Sequence, residues 1–205
     1  MIAIIDYGVG NLFSLSSSFK SIGANTVVTG DPEVIKKAEK LVLPGVGAFS
    51  DAAAKLRDSG LDKIIIEEVK NGKPLLGICL GMQMLFTESL EYGTHKGLGL
   101  IPGSVVPMKG VVPAELKVPH IGWNGLVFPE NKPKSKIFKY LNPGDHMYFV
   151  HSFYATNCED HVSSKTEYGA LLTASAENKN VYGVQFHPEK SGEKGLLILK
   201  AFCEL

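Results

Sequence analysis

Pro74-Leu75-Leu76-Gly77-Ile78-Cys79-Leu80-Gly81-Met82-Gln83 is the stretch on which the fold turns. An apolar run of strand length meets a helical pattern through a turn that has glycine two residues before and two residues after a cysteine. This is the layout of a nucleophile elbow with sulfur in place of a hydroxyl. Such a turn forces its central residue into a strained conformation and crowds the flanking backbone, so side chains two positions away would obstruct it. The sulfur is then presented at the start of a helix, where unpaired amides favour the reactive thiolate, and the amide of Leu80 is left to bind an oxyanion. A buried cysteine in a glycine-rich turn fits the same pentapeptide, so its meaning depends on what surrounds it.

Working outward, the first half of the chain alternates short apolar runs with helical periodicity, as a parallel sheet covered by helices does. Strands are expected at Ile2 to Ile5, Thr26 to Thr29, Lys40 to Leu43 and Pro74 to Ile78. Leu12, Leu15, Phe19 and Ile22 share one helical face that stops at Gly23, and Asp31-Pro32 supplies a cap and a first-turn proline for a short helix. Further helices are expected over Phe49 to Asp58, Leu61 to Lys70 and Gly81 to about Glu88. Beyond Gly97, Gly and Pro recur among β-branched and aromatic residues, which predicts antiparallel strands and turns. Met147 to Ser152, Ala170 to Ser175 and Val181 to Phe186 are the clearest strands there, before a closing helix over Gly192 to Phe202. No repeat or linker divides the two textures, so one domain over residues 1–205 is expected, with a mainly parallel central sheet and added antiparallel strands.

Composition removes several function classes. Lys plus Arg and Asp plus Glu number 21 each, so no excess positive charge awaits nucleic acid or an anionic membrane. The apolar start ends at Asp6, and the stretch from Leu75 to Phe86 falls short of the roughly 20 residues that a spanning helix needs. Cys79, Cys158 and Cys203 form no Cys-x-x-Cys pair, which suits a reducing, cytoplasmic setting. Gly8-Val9-Gly10 follows a strand as a dinucleotide fingerprint would, but Phe13 stands where the third glycine belongs. The six histidines show no ligand spacing for structural zinc, so neither metal nor cofactor is expected.

Two further pieces lie after strands. In Gln185-Phe186-His187-Pro188-Glu189 an extended backbone sends His187 and Glu189 to the same side, where a base and its orienting carboxylate need to be. Pro44-Gly45-Val46-Gly47 could turn a backbone amide toward the reacting carbonyl and complete an oxyanion hole with Leu80. Each fits a plain turn when taken alone. All three fall at strand ends, where such sheets gather their functional groups.

Together these pieces resemble the class I glutamine amidotransferases, whose triad is Cys, His, Glu in that chain order, and the resemblance covers nearly the whole chain. Asp6-Tyr7-Gly8-Val9-Gly10-Asn11, Pro44 to Phe49, Gly77 to Gln83, His120-Ile121-Gly122-Trp123-Asn124, Tyr148 to Ser152 and Gln185 to Ser191 look in combination like the glutaminase subunits of imidazole glycerol phosphate synthases. The resemblance implies that Cys79 attacks the glutamine side-chain amide, that His187 moves protons and that Glu189 orients it. It implies an oxyanion hole from Val46 and Leu80, and substrate contacts from Gly47, Gln83, Glu91, Ser152 and Phe153. It further implies a (β/α)₈-barrel cyclase partner that uses the ammonia to make imidazole glycerol phosphate and AICAR from N′-[(5′-phosphoribulosyl)formimino]-AICAR. Asn11, His120, Trp123, Tyr148 and Lys190 then match positions on or near that interface, although Trp123 and Tyr148 also suit a core. Phe153 departs from a frequent Tyr, and the loop from Glu130 to Lys139 carries no transferable contacts. Other ammonia-consuming synthases, or a thiol sensor on a similar sheet, remain open at this point.

Overall fold

A computed structural model describes residues 1–205. The first half builds β1 (Ile2–Ile5), α1 (Leu12–Ser21), β2 (Thr26–Thr29), α2 (Pro32–Lys37), β3 (Lys40–Leu43), α3 (Phe49–Asp58), α4 (Leu61–Lys70), β4 (Leu75–Ile78) and α5 (Leu80–Leu85). The second half adds β5 (Phe86–Ser89), β6 (His95–Lys96), β7 (Ile101–Pro107), β8 (His120–Gly125), β9 (His146–His151), β10 (Phe153–Thr156), β11 (Val162–Glu167), β12 (Leu171–Asn178), β13 (Val181–Val184) and α6 (Gly192–Cys203). The expected strands and helices of the first half are all present. Asn11 caps α1, Asp31 accepts from the Glu33 amide at 2.8 Å to cap α2, and Gly23 takes a left-handed φ just past α1.

One expectation fails in detail. The helix after the elbow ends at Leu85 instead of continuing to Glu88, and Phe86–Ser89 forms a strand. Phe86 and Thr87 favour an extended backbone, and β5 gains a parallel partner in β7, a tertiary pairing that outweighs one more helical turn. That pairing also qualifies the expectation of antiparallel strands beyond Gly97, which β7–β10 and β8–β9 do satisfy.

The central sheet has seven strands in the order β11-β12-β13-β4-β3-β1-β2. The pairs from β13 through β4, β3 and β1 to β2 are parallel, and β11–β12–β13 closes one edge in antiparallel fashion. The sheet therefore draws strands from both halves of the chain. Alternation along β1 sorts its residues: Ala3 and Ile5 pack with α2, α3 and α4, whereas Ile2 and Ile4 pack with Leu15 and Phe19 of α1 and Ile198, Leu199 and Phe202 of α6. Burial on both faces explains why the parallel strands read as unbroken apolar runs. A second sheet, β10-β7-β5-β6, and the antiparallel β8–β9 pair complete the fold.

The elbow depends on the glycines around it. A methyl group on Gly81 would lie 1.9 Å from the Leu43 carbonyl oxygen, and one on Gly77 would lie 2.8 Å from the Gly81 oxygen. Both obstacles are backbone, which cannot swing aside. Gly81→Ala is therefore expected to cost about 3 kcal/mol or more, as overpacking against an unyielding neighbour does. Urea unfolding of the variant beside the parent measures this, and a midpoint unchanged from the parent would contradict the packing described.

Candidate active site

Three chain segments leave the parallel strands at the same end of the sheet. Cys79 follows β4, Pro44-Gly45-Val46-Gly47 follows β3, and Gln185 to Glu189 follow β13. The parallel register sets Val184 opposite Ile78, and the Cys79 amide donates to the Val184 carbonyl at 2.8 Å. Cys79 and Gln185 are thereby neighbours, with Gln185 Nε2 3.8 Å from the sulfur. Cys79 has φ 55 and ψ −114, a left-handed value that an L-residue takes only under constraint.

His187 and Glu189 are both buried, and Nδ1 of the ring lies 2.8 Å from Glu189 Oε1. That bond leaves Nε2 for the sulfur. Burial alone pushes the imidazole down, but hydrogen bonding to Cys79 and Glu189, together with their charges, outweighs it and raises His187 to about 9. Its backbone is tied as well: the His187 amide donates to the Tyr148 carbonyl at 3.0 Å, and Ser191 Oγ donates to the His187 carbonyl at 2.6 Å.

The cavity above the sulfur, about 420 Å³, is lined by Val46, Gly47, Cys79, Leu80, Gln83, Glu91, Ser152, Phe153, His187 and Lys190, together with Tyr92, Pro119, Val150 and His151. A larger cavity of about 720 Å³ lies at the opposite strand ends, near Pro74 and Asn180; lysines are prominent in its lining, which contains neither cysteine nor histidine. Cys79 and His187 both line the smaller one. A cysteine beside a buried, carboxylate-oriented imidazole can attack a carbonyl carbon and protonate a departing amine.

A glutamine amidotransferase class-I family profile matches residues 3–204. The chain belongs to the class I glutamine amidotransferases. Among curated relatives, the imidazole glycerol phosphate synthase subunit HisH of Methanothermobacter thermautotrophicus is 48% identical over 205 residues, covering 100% of this chain and 98% of the relative. HisH of a Geobacillus strain is 47% identical over 208 residues, covering 100% of this chain and 97% of the relative. At that similarity the chain is a class I glutamine amidotransferase of the HisH family. Solved structures share the fold at lower identity. A crystal structure of a glutamine amidotransferase superposes with a TM-score of 0.75 at 18% identity, covering all of both chains. The PurLQS structure from Thermotoga maritima gives 0.73 at 20% identity, covering 99% of this chain and 97% of that one.

In this amidotransferase the Pro44-Gly45-Val46-Gly47 loop has a fixed half and a free half. The buried Tyr7 hydroxyl donates to the Pro44 carbonyl at 2.7 Å, and a methyl on Gly45 would meet the Gly81 nitrogen at 2.8 Å. Gly47 has φ 92 with open space around it, and Val46 is 43% exposed. Gln83 is buried, and its amide reaches Gln185 Oε1 at 3.0 Å and the Phe153 carbonyl at 3.4 Å. Glu91 accepts from the Phe49 amide at 2.6 Å, so part of this carboxylate caps α3 directly after the Gly47 loop.

The residues matched to a partner surface divide. Trp123 is 53% exposed and packs edge-on to Tyr148 at 5.9 Å, and Lys190 Nζ lies 6.0 Å from the Tyr148 ring. Asn11 serves as a helix cap beside Phe13, whose ring is 83% exposed. His120 is 1% exposed, so it can affect a partner only through the residues around it. Gln185 and His151 went unassigned in the sequence, although Gln185 stands two residues before His187 and so faces the same way along an extended chain.

Glu189 helps hold the imidazole protonated, and removing its charge lets the ring lose its proton at lower pH. A raised histidine is cationic below its shifted value and neutral above it, so the alkaline limb of glutamine turnover is expected near pH 9. Glu189→Gln should move that limb to lower pH, and His187→Ala should reduce turnover more than any Glu189 variant. Steady-state kcat/KM from pH 6 to 10 is the measurement, and an unmoved limb in Glu189→Gln would contradict the assignment.

Proposed function

We propose that this chain hydrolyses glutamine through Cys79, His187 and Glu189 and delivers the ammonia to a cyclase subunit, together forming imidazole glycerol phosphate synthase. The observation that carries the reading is the strained Cys79 sharing one cavity with His187, whose ring is held from behind by the buried Glu189 carboxylate. The HisH relatives, matched over the full length of this chain, supply the identity of the synthase.

The Cys79 thiolate attacks the side-chain amide carbon of glutamine, and the negative oxygen is received by the amides of Leu80 and Val46. Imidazolium His187 gives its proton to the departing nitrogen, ammonia leaves, and a γ-glutamyl thioester remains. Neutral His187 then takes a proton from water as the oxygen attacks the thioester, glutamate is released, and the thiolate and imidazolium are restored. Glu189 holds Nδ1 throughout, which keeps Nε2 directed at the sulfur. Gln83, Glu91, Ser152, Phe153 and the Gly47 backbone receive the amino-acid end of the substrate. Their polar groups suit a zwitterion that has to be told from glutamate.

The ammonia passes to a (β/α)₈-barrel cyclase docked where Asn11, Trp123, Tyr148 and Lys190 meet solvent, in a cytoplasmic heterodimer. The reading of that face is supported by half-exposed Trp123 and by Phe13, large apolar side chains that are costly to leave in water. It is also supported by the backbone link from Tyr148 to His187, which joins the face to the base. No helix is long and apolar enough to cross a membrane.

Cys79→Ala or Cys79→Ser should abolish ammonia release from glutamine while the cyclase still runs on added ammonium salt. Loss of the ammonium-dependent reaction too would refute the division of labour. Trp123→Ala should weaken complex formation by about 2 kcal/mol, as truncation of an aromatic anchor does, with the circular dichroism spectrum of the chain unchanged. Cyclase with its nucleotide should strongly raise the glutaminase kcat, because an oxyanion donor turned away typically costs ~10²–10³ in rate. Equal kcat for the free chain and the complex would refute activation through Val46.

A further inference from the structure

A hydrogen-bonded chain runs from β11 to the wall of the glutamine cavity through two buried histidines. Asn124 Nδ2 donates to the Glu167 carbonyl at 2.7 Å, and Asn124 Oδ1 lies 2.8 Å from His120 Nε2. His120 Nδ1 lies 3.1 Å from His151 Nε2, and His151 Nδ1 lies 2.8 Å from the Phe153 carbonyl. Both ends of the chain are acceptors. A backbone carbonyl cannot donate, so Asn124 turns its nitrogen to Glu167 and its oxygen to His120, and His151 Nδ1 carries a hydrogen toward Phe153. His120 Nε2 then also carries a hydrogen, and one more lies between the two rings. Four ring nitrogens hold three protons, whereas two neutral imidazoles supply two.

We propose that His120 and His151 share one extra buried proton and act as a positioning pair, holding the Phe153 carbonyl where the amino-acid end of the substrate binds. The substrate half rests on the glutaminase reading above; the proton count does not. With the proton in place every link of the chain is a bond. Without it, two acceptors face each other at one link, and the wall that ends in Phe153 slackens.

Burial opposes the charge. Desolvation is the larger effect and leaves both rings below the ordinary imidazole value, His151 at about 4, with the Asn124 bond offsetting it in part at His120 and the Phe153 carbonyl in part at His151. The third proton therefore rests on His120. Aromatic faces favour it there: Tyr168 stacks on His120 with centroids 4.0 Å apart and Phe149 at 5.1 Å. The Tyr168 hydroxyl is engaged with the Lys117 carbonyl at 2.8 Å. His187 bears on His151 as a like charge, Cys79 and Lys190 share its cavity, and no carboxylate pairs with either ring. The charge is thus held by hydrogen bonds and rings, without a counter-ion.

Long-range proton–nitrogen correlation spectra of the ¹⁵N-histidine-labelled chain count these protons directly. At about pH 5.5 and below, under the ordinary imidazole value, His120 is expected to show two protonated nitrogens and His151 only a protonated Nδ1, with the third proton lost as pH rises. Two neutral rings at about pH 5.5, one proton each, would overturn the shared proton whatever the chain catalyses. In the complex with saturating cyclase, assayed at the same pH, His120→Phe should raise the glutamine KM about tenfold with kcat within about threefold, and His120→Gln, which restores a donor to His151, should recover most of the loss. An unchanged KM, or kcat falling as far as kcat/KM, would overturn the positioning role. Should His120→Phe not fold, the spectra and His120→Gln still decide.

Discussion

Three glycines let separate pieces of backbone meet at one point, and the site is built around that meeting. Gly81 lies so close to the end of β3 that a methyl group would occupy the space of the Leu43 carbonyl, Gly77 packs on the Gly81 backbone, and Gly45 packs on the Gly81 nitrogen. Because nothing projects between them, the loop after β3 and the turn after β4 are held side by side. Val46 and Gly47 are thereby brought to the cavity that contains Cys79. Cys79 sits at a left-handed φ at the centre of this contact. Its strain is sustained by the surrounding sheet, since a turn of this kind on a free peptide would relax.

The charge arrangement follows from burial as much as from proximity. His187 and Glu189 are both removed from water, so the field of each acts on the other with little screening. Desolvation disfavours a cationic ring, yet hydrogen bonds and opposite charges on two sides reverse the balance. Glu189 Oε2 has no hydrogen-bonding partner in the protein, so the carboxylate is committed through a single oxygen to the ring. The His120–His151 pair shows the contrary case nearby: two buried rings with no carboxylate, for which hydrogen-bond geometry and desolvation pull in opposite directions.

The two textures of the chain divide the work. The parallel sheet supplies the strand ends on which Cys79, His187 and the Pro44–Gly47 loop are mounted, and its helices bury both faces. The antiparallel additions supply the walls: β9 ends at His151, β10 begins at Phe153, and Ser152 between them faces the cavity. The β8–β9 hairpin also carries Trp123 opposite Tyr148. One face of the molecule is thus continuous from exposed aromatic side chains through the Tyr148 backbone to His187.

The local signals were legible wherever physics acts over a few residues. Apolar runs marked the parallel strands, Asp31-Pro32 marked a helix start, and paired glycines marked the elbow, because period, capping and steric room are properties of adjacent residues. The spacing of His187 and Glu189 implied a shared side for the same reason. Tertiary structure alone decided the rest. The helix of Leu80 stopped at Leu85 because β7 offered Phe86–Ser89 a strand partner roughly fifteen positions away, which no local pattern announces. Gln185 reached the cysteine through the β13–β4 register, and His120 proved buried and bonded to His151 through the β8–β9 register, although both lie in segments that had drawn notice for other reasons. Trp123 suited a core or a surface equally by its chemistry, and only the position of the hairpin left it half in water. Sequence determined which residues could strain, cap or donate; long-range strand pairing determined which of them met.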